Sequence, residues 1–501
     1  MSSSNTIKKG AIISYVAIFL NIAITFFYTP WMIRKIGVSD YGLYSLVYSF
    51  ISYFILDFGL SQAIQRFIAK YRAESNEEKV AQMVGITTRV YLIIDAVIFL
   101  VLFVLYFFIS NIFTGLSPYE IERLKGLYII AGIFSVLSFM FKPMAGAMMA
   151  FEYFVEEKAL EMLNRVGAVA GVCIALSLGA DVFALILING LFSLLSSVLK
   201  LIVFEKKSKL NIQWSYFNMP ELKGIFSFSM WTFGSGLAQR LRFSLVPSIL
   251  GILSNSNEIA IFAMGITLEG MIYTLSSALN GLFLPTVSRM VHNQKREEID
   301  NLMIRVGRIQ LFIISLIFSG FLIFGRSFLQ LWVGPDFSNV YWVLILLIVC
   351  NLISLTQRVA EDLVYVENKI KDSTVRVLIC SVLGLGLGCL LAPKYGAVGA
   401  AIGTGVGLCI YQVVINIYYQ GKLNLDIPKF FTNCHLKIIP LLIILTAASF
   451  YLQTFFYLDT WLKLIVGVAI YTTLFSIVSY IFLFNNDEKR LIRSIRNLLI
   501  K

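Results

Sequence analysis

Two arginines interrupt an apolar run that is otherwise long enough to cross a bilayer. The run extends from Phe226 to Leu253, with Arg240 and Arg242 near its middle. A membrane-crossing helix takes about 20 mainly apolar residues, and Arg240 lies roughly 20 Å along this one. A charged side chain at the bilayer centre costs about 2.5–3.5 kcal/mol on insertion scales. Neither arginine therefore belongs against lipid. Residues two apart on a helix point about 200° apart, so the two serve different neighbours, and Gln239, one turn from Arg242, shares its face. Two chemistries fit: an interhelical ion pair, or a cationic site for an anionic substrate.

The charge balance inside the apolar segments bears on that choice. Arg89, Lys142 and Arg165 also fall within them, which makes five basic residues against three acidic ones, Asp57, Asp95 and Glu269. Pairing all three acids leaves two positive charges over. A surplus of this kind suits phosphate, whose oxygens accept charge-assisted bonds from Arg and Lys. Asp95, in Leu-Ile-Ile-Asp-Ala-Val-Ile, is a candidate for a proton-linked carboxylate or for the neutralising partner of an arginine. Asp57 is placed to brace the Leu-Asp-Phe-Gly turn. Among 41 Phe and 24 Tyr, the tyrosines Tyr15, Tyr28, Tyr91 and Tyr273 are candidates to meet a polar ligand, although any one of them also suits an interfacial belt.

The elements that must position these residues are helices in a membrane. The chain has 501 residues, 58% hydrophobic and 14% charged, where a soluble domain carries about 25% charged residues. Fourteen hydrophobic runs follow one another, from Ala11–Met32 to Trp461–Phe484. The expected fold is an all-α polytopic membrane protein of about 14 transmembrane helices. Its net charge of +12 is spread through short loops, a pattern that sets membrane orientation rather than nucleic-acid binding. With the N-terminus inside, inner segments hold 29 basic residues and outer loops seven, so both termini are expected in the cytoplasm. No cleavable signal is evident. Two stretches are amphipathic, Leu60–Tyr71 and the tail from Lys489 to Leu499, and both are expected on the inner leaflet. Gly384, Gly386 and Gly388 suit close helix packing. The six cysteines show no CxxC spacing and read as packed thiols. No nucleophile–base array, metal set or nucleotide motif stands out.

A faint internal repeat runs at an offset near 216 residues. Pro30 followed by Gly-Val-Ser-Asp-Tyr-Gly-Leu-Tyr44 parallels Pro247 followed by Ser-Asn-Ser-Asn-Glu-Ile-Ala-Ile261, and Arg72 falls opposite Arg289. Phe151-Glu-Tyr-Phe-Val likewise parallels Val366-Glu-Asn-Lys-Ile. The division that follows is an N-terminal lobe over 1–204, a cytoplasmic linker over 205–222 and a C-terminal lobe over 223–420. Two extra spans cover 421–484, and a basic amphipathic tail covers 485–501. Transporters place substrate at such a repeat interface near the midplane.

Gly37-Val-Ser-Asp-Tyr-Gly-Leu-Tyr44, then Leu56-Asp-Phe-Gly-Leu60 running into Arg66-Phe-Ile-Ala-Lys-Tyr-Arg72, resembles the start of Wzx-type polysaccharide flippases. Tyr395-Gly-Ala-Val-Gly-Ala-Ala-Ile-Gly-Thr404 carries the same resemblance into the twelfth run. That family belongs to a superfamily shared with multidrug/toxin extrusion (MATE) proteins, and the resemblance covers essentially the whole chain. It implies a MATE-like two-lobe fold, six helices in each lobe plus two at the end. It also implies alternating-access translocation of an undecaprenyl-diphosphate-linked oligosaccharide, an O-antigen or capsule repeat unit, across a bacterial cytoplasmic membrane. Peptidoglycan-precursor flippases carry basic residues in their first span; Ala11–Met32 has none, which speaks against lipid II as cargo. The implied partners are the lipid-linked glycan and membrane lipids, with a glycan polymerase as a further one. A monomer, no cofactor and no metal are expected. On this reading Arg240, Arg242, Lys142, Arg165 and Arg89 line the cationic cavity, and Asp95, Glu269 and Asp57 balance charge or couple an ion. Two rivals stand beside it: a MATE-type cation–drug antiporter, for which an acid-dominated cavity is expected, and a membrane-embedded glycan-lipid enzyme, which has no need of a two-lobe repeat.

Overall fold

Lipid offers a peptide group no water to bond, so backbone within it must be satisfied by helix or by a closed sheet. The computed structural model, which describes residues 2–55, 59–213, 216, 218–277, 283–453, 458–485 and 488–490, is helical throughout, with no strand among those residues. α1 (Ser2–Ile36) carries Pro30 within it and ends at Gly37, whose φ of 89° suits glycine. α2 (Val38–Ser52), α3 (Leu60–Ala73) and α4 (Glu77–Ile112) follow; Asn76 caps α4 by accepting the Lys79 amide at 3.0 Å. A capping box of Ser117 and Glu120, with Pro118 in the first turn, starts α5 (Pro118–Phe139). Then come α6 (Lys142–Ala150), α7 (Phe154–Ser177) and α8 (Val182–Ser208), the last capped by Asp181. α9 (Met219–Phe243) runs almost directly into α10 (Leu245–Leu253), and α11 (Ser256–Ser277) and α12 (Leu284–His292) follow.

Beyond these lie α13 (Arg296–Trp332), α14 (Val340–Ser354), α15 (Arg358–Val366) and α16 (Ile370–Lys422). After a single turn, α17 (Ile427–Phe430), the chain closes with α18 (Leu436–Gln453) and α19 (Trp461–Val478). Nine helical stretches among the described residues are long and apolar enough to cross a membrane. Large side chains such as Phe103 and Phe107 on α4 remain more than half exposed, as a lipid-facing surface requires. The chain divides into two compact units. One comprises Met1–Ala263 with Val377–Thr404; the other comprises Met264–Arg376 with Gly405–Lys501.

The repeat is visible in the elements themselves. α1 spans residues 2–36, and the nearly continuous α9–α10 spans 219–253, so both ends and the internal prolines Pro30 and Pro247 are 217 residues apart. The nine-residue helices α6 and α15 begin 216 apart. The tightest markers are non-glycine residues with left-handed backbone, which close helices at equivalent points. Ser75, Glu152 and Lys209 recur as Gln294, Asn368 and Asn424. The match of Glu152 with Asn368 sets the register one residue further along than the Phe151/Val366 alignment.

One of the expectations needs adjustment. The apolar face of α3 does not lie on a leaflet: Leu60, Ile64 and Ile68 are almost fully buried, where α3 packs on α6 and α4. Arg72, at its end, donates to the Ala150 carbonyl at 2.6 Å and lies over the Phe151 ring. Within the C-terminal tail, Leu491–Leu499 lies outside the described residues. Glu488 is described and buried; it accepts from Arg308 Nε at 2.6 Å. Arg308 also donates to the Asn433 carbonyl at 2.9 Å and the Leu483 carbonyl at 2.7 Å. Those carbonyls belong to two π-helical turns, Phe431–His435 and Ser479–Leu483, so one buried guanidinium fastens the last two long helices to α13.

α16 is two helices joined at Gly396 (φ 55°, ψ −133°). Glu258 restarts the second half by accepting the Ala397 amide at 2.6 Å. The two halves approach backbone to backbone, because a Cβ on Gly403 would collide with Gly388 and with the Gly384 carbonyl. Gly384 and Gly388 thus pack as expected, whereas Gly386 faces open space.

Candidate functional site

In the first unit, α7 presents Arg165 to α1. Its Nη2 donates to Thr25 Oγ1 at 3.0 Å, and that hydroxyl in turn donates to the Asn21 carbonyl at 2.8 Å. Arg165 is exposed, and its charge reaches the hydroxyls of Tyr28 on α1 and Tyr44 on α2. Tyr44 meets Tyr48 edge-on with ring centroids 4.9 Å apart. A cation bonded to a threonine, with Tyr28 and Tyr44 nearby, offers charge-assisted bonds to an anion, and the rings offer apolar faces with polar tips to a sugar. Tyr44 and Tyr48 were not singled out in the sequence. The spacing of Tyr41, Tyr44 and Tyr48, three and then four residues apart, is the helical-face signal that identifies them.

Arg242 and Arg240 leave α9 in different directions, as the helical period requires. Arg242 Nε donates to Ser381 Oγ at 2.9 Å, on the first half of α16, and that hydroxyl donates to the Val377 carbonyl at 2.6 Å. Arg240 turns to the end of α2, where its guanidinium donates to the Ser52 carbonyl and, at 3.4 Å, to that of Ile55. Carbonyls beyond a helix C-terminus lack intrahelical partners and carry the negative end of the dipole. Arg240 thereby supplies positive charge to the place where α2 stops. Tyr53, just past α2, bonds the Ser244 carbonyl and lies 2.8 Å from Ser248 Oγ, which ties the same end to α10.

The other sequence candidates are dispersed. Lys142 opens α6, half-buried, with Nζ 5.0 Å from the centre of the Phe139 ring. Arg89 is half-buried on α4. Asp95, also on α4, is 7% exposed, and its Oδ1 has no hydrogen-bond partner among the described residues. Ser138 Oγ on the neighbouring α5 is in the same condition. Glu269, in the second unit, is buried and accepts from Asn351 Nδ2 at 2.6 Å. Asp57 lies outside the described residues, as does the side chain of Tyr15. Tyr91 is fully buried against Phe139, with its hydroxyl 3.2 Å from Ser61, so it faces protein. Tyr273, in the second unit, accepts from Arg358 at 2.6 Å.

The two repeats meet at one end of the first unit. Ser39 Oγ and Ser256 Oγ are 3.0 Å apart, and both donate to Glu120 Oε1. Ser39 and Ser256 are equivalent positions in the repeat, so the pseudo-twofold axis passes between them. Gly42 allows the approach, since a Cβ there would collide with the Ser256 carbonyl. The Gly115 amide donates to the Gly251 carbonyl at 3.2 Å beside it.

This architecture is that of the MATE-like transporters. The lipid II flippase MurJ in an inward closed conformation superposes with a TM-score of 0.71 at 14% identity, covering 94% of this chain and 98% of that one. An inward-facing multidrug resistance MATE family transporter superposes with a TM-score of 0.68 at 14% identity, covering 84% and 99%. Residues 7–291 match the polysaccharide biosynthesis protein family, and the chain belongs to that family. It is also 20% identical over 264 residues to a probable low-salt glycan biosynthesis flippase, Agl15, of Haloferax volcanii. That match spans 53% of this chain and 54% of the relative, about half the length of each.

Proposed function

We propose that this protein is a flippase that carries an undecaprenyl-diphosphate-linked oligosaccharide from the inner to the outer leaflet of a bacterial cytoplasmic membrane. The observation that carries the reading is the Arg165 cluster, a cation bonded to Thr25 with Tyr28 and Tyr44 nearby, within a fold of the MATE type. Such a group suits a diphosphate beside a sugar. A drug cation would favour carboxylates there, and family membership in polysaccharide biosynthesis supports the glycan reading over the antiporter. In this proposal fourteen spans place both termini in the cytoplasm and the two six-helix repeats act as rocking lobes. Arg89, Lys142 and Arg240 add positive field along the route. Glu269 and Asp57 balance charge, and Asp95 holds a coupling proton. An inside-negative potential itself favours outward movement of an anion by about 2.3 kcal/mol per charge per 100 mV.

Alternating access requires the Ser39–Ser256 closure to open. Hydroxyl oxygens 3.0 Å apart are within reach of a disulfide after Ser39→Cys and Ser256→Cys. In proteoliposomes with a fluorescent polyprenyl-diphosphate oligosaccharide, the oxidised double variant should stop translocation and the reduced form should restore it. Translocation by the unmodified protein no faster than in protein-free liposomes would refute the flippase reading.

A further inference from the structure

Three helix starts converge on one carboxylate where the repeats meet. Glu120 is the third residue of α5, Ser39 the second of α2 and Ser256 the first of α11. Each helix thus turns its first turn, the positive end of its dipole, toward that carboxylate. Oε2 accepts from the Ser117 amide at 2.9 Å and from the Ser117 hydroxyl at 2.8 Å, which is the capping of α5 itself. Oε1 accepts from the Ser39 hydroxyl at 2.9 Å and from that of Ser256. An ionised carboxylate has about four acceptor sites. Two are taken by the helix that carries it, and each repeat takes one of the others.

We infer that Glu120 fastens the closed state of this end of the transporter, as an ionised acceptor carried by the first repeat that receives Ser256 of the second. This rests on the flippase reading, whose alternating access opens this end, and it names the residue that governs the step. Arg123, one turn along α5, grips Asp40 of α2 through Nε at 2.9 Å and Nη2 at 2.6 Å, with Asp181 3.7 Å away. That bidentate pair binds α5 to α2, so Glu120 and Ser39 move together and Ser256 is the partner that departs. Two neighbouring bonds make the same crossing: Thr114 Oγ1 donates to the Ile252 carbonyl and the Gly115 amide to the Gly251 carbonyl, both at 3.2 Å. Those join uncharged groups, and a bond to an ionised acceptor is roughly twice as strong. The hydroxyls are symmetric and the acceptor is not. Ser39 and Ser256 stand in the same relation as Pro118 and Pro335, but the position equivalent to Glu120 is Phe337, which is fully buried. The second repeat begins the corresponding segment with the same proline and no carboxylate at that position. The fold of a repeat therefore does not call for the acid, and the crossing bond does.

Fastening and capping come apart under substitution. Ser256→Ala removes the crossing bond and leaves the cap, Ser117→Ala weakens the cap and leaves the crossing, and Glu120→Gln removes the charge at nearly constant shape. Opening is read in the full-length protein in liposomes by double electron–electron resonance. The nitroxides are attached through genetically encoded keto side chains at the exposed positions Glu122 and Asn257. Ser256→Ala and Glu120→Gln should each raise the ratio of long to short distances about tenfold, the scale of one hydrogen bond to a charged group. Their double variant should rise little further, since both delete the same bond, and Ser117→Ala should stay near the parent. An unchanged ratio in Ser256→Ala and Glu120→Gln, an equal rise in Ser117→Ala, or additive rises in the double variant would overturn the inference and leave Glu120 a helix cap. Where Glu120→Gln fails to insert, Ser256→Ala decides alone. Normal translocation by a parent whose variants leave the ratio unchanged would sink the fastening and keep the flippase reading. The expected rises in a protein that moves no polyprenyl-diphosphate oligosaccharide would keep the fastening and sink that reading.

Discussion

At Asp95 the membrane interior and the carboxyl group are at odds. Its depth in an apolar run was legible in the sequence, and so was the choice between proton carrier and ion-pair partner. Among the described residues no ion pair to Asp95 is present, and one of its oxygens is buried without a partner. An intramembrane carboxyl group left in that condition is a functional candidate by default. Asp95→Asn should reach the membrane at normal abundance yet lose the stimulation of transport by an imposed pH gradient. Gradient dependence that survives the substitution would leave Asp95 a structural residue. Arg240 was equally legible as a side chain that must avoid lipid. Its partners were not, because backbone carbonyls at a helix end carry no residue-type signal. The same limit hid Thr25 and Ser381: a single hydroxyl in an apolar helix looks the same whether it bonds its own backbone or receives an arginine.

Helix limits were readable where the chemistry is local. Ser117-Pro-Tyr-Glu120 starts α5 as its capping box dictates, and Gly384 and Gly388 of α16 lie where its two halves touch. What the pattern did not show was the break itself: an apolar run continues through Tyr41–Leu60 while the helix stops at Ser52. The face of α3 was read correctly as apolar, but periodicity cannot tell whether protein or lipid covers such a face. The α16 hairpin gives a sharp contrast for measurement. Gly403→Val forces a side chain into the Gly388 backbone and should cost more than the roughly 1–3 kcal/mol typical of overpacking. Gly386→Ala meets open space and should be neutral or slightly stabilising. Thermal unfolding of the two purified variants in one detergent checks both; equal melting temperatures would show that the two halves do not pack as described.

At the scale of the whole molecule, the duplicated plan was the faintest sequence signal and became one of the clearest structural ones. Two prolines and two short motifs suggested an offset near 216. Helix ends and left-handed residues now fix it at several independent points. Side chains have diverged almost completely between the repeats while backbone breaks have not, since a break in the wrong place would leave peptide groups unbonded in lipid. That is why an alignment of residue types nearly missed the repeat, and why it placed Phe151 one residue out of register.

The recurrent left-handed turns also offer a practical lever for purification. Such a backbone costs a non-glycine residue roughly 1–2 kcal/mol, and Ser75, Glu152, Lys209 and Gln294 adopt it on exposed loops. Glycine relieves the strain but gives back about 0.5–1 kcal/mol in unfolded-chain entropy. Each change to glycine at these four sites should therefore gain up to about 1 kcal/mol. Combined, they should raise the detergent melting temperature by several degrees and lengthen the shelf life of the solubilised protein, without altering any surface the substrate meets. A combined variant that melts no higher than its parent would mean that these loops are already relaxed.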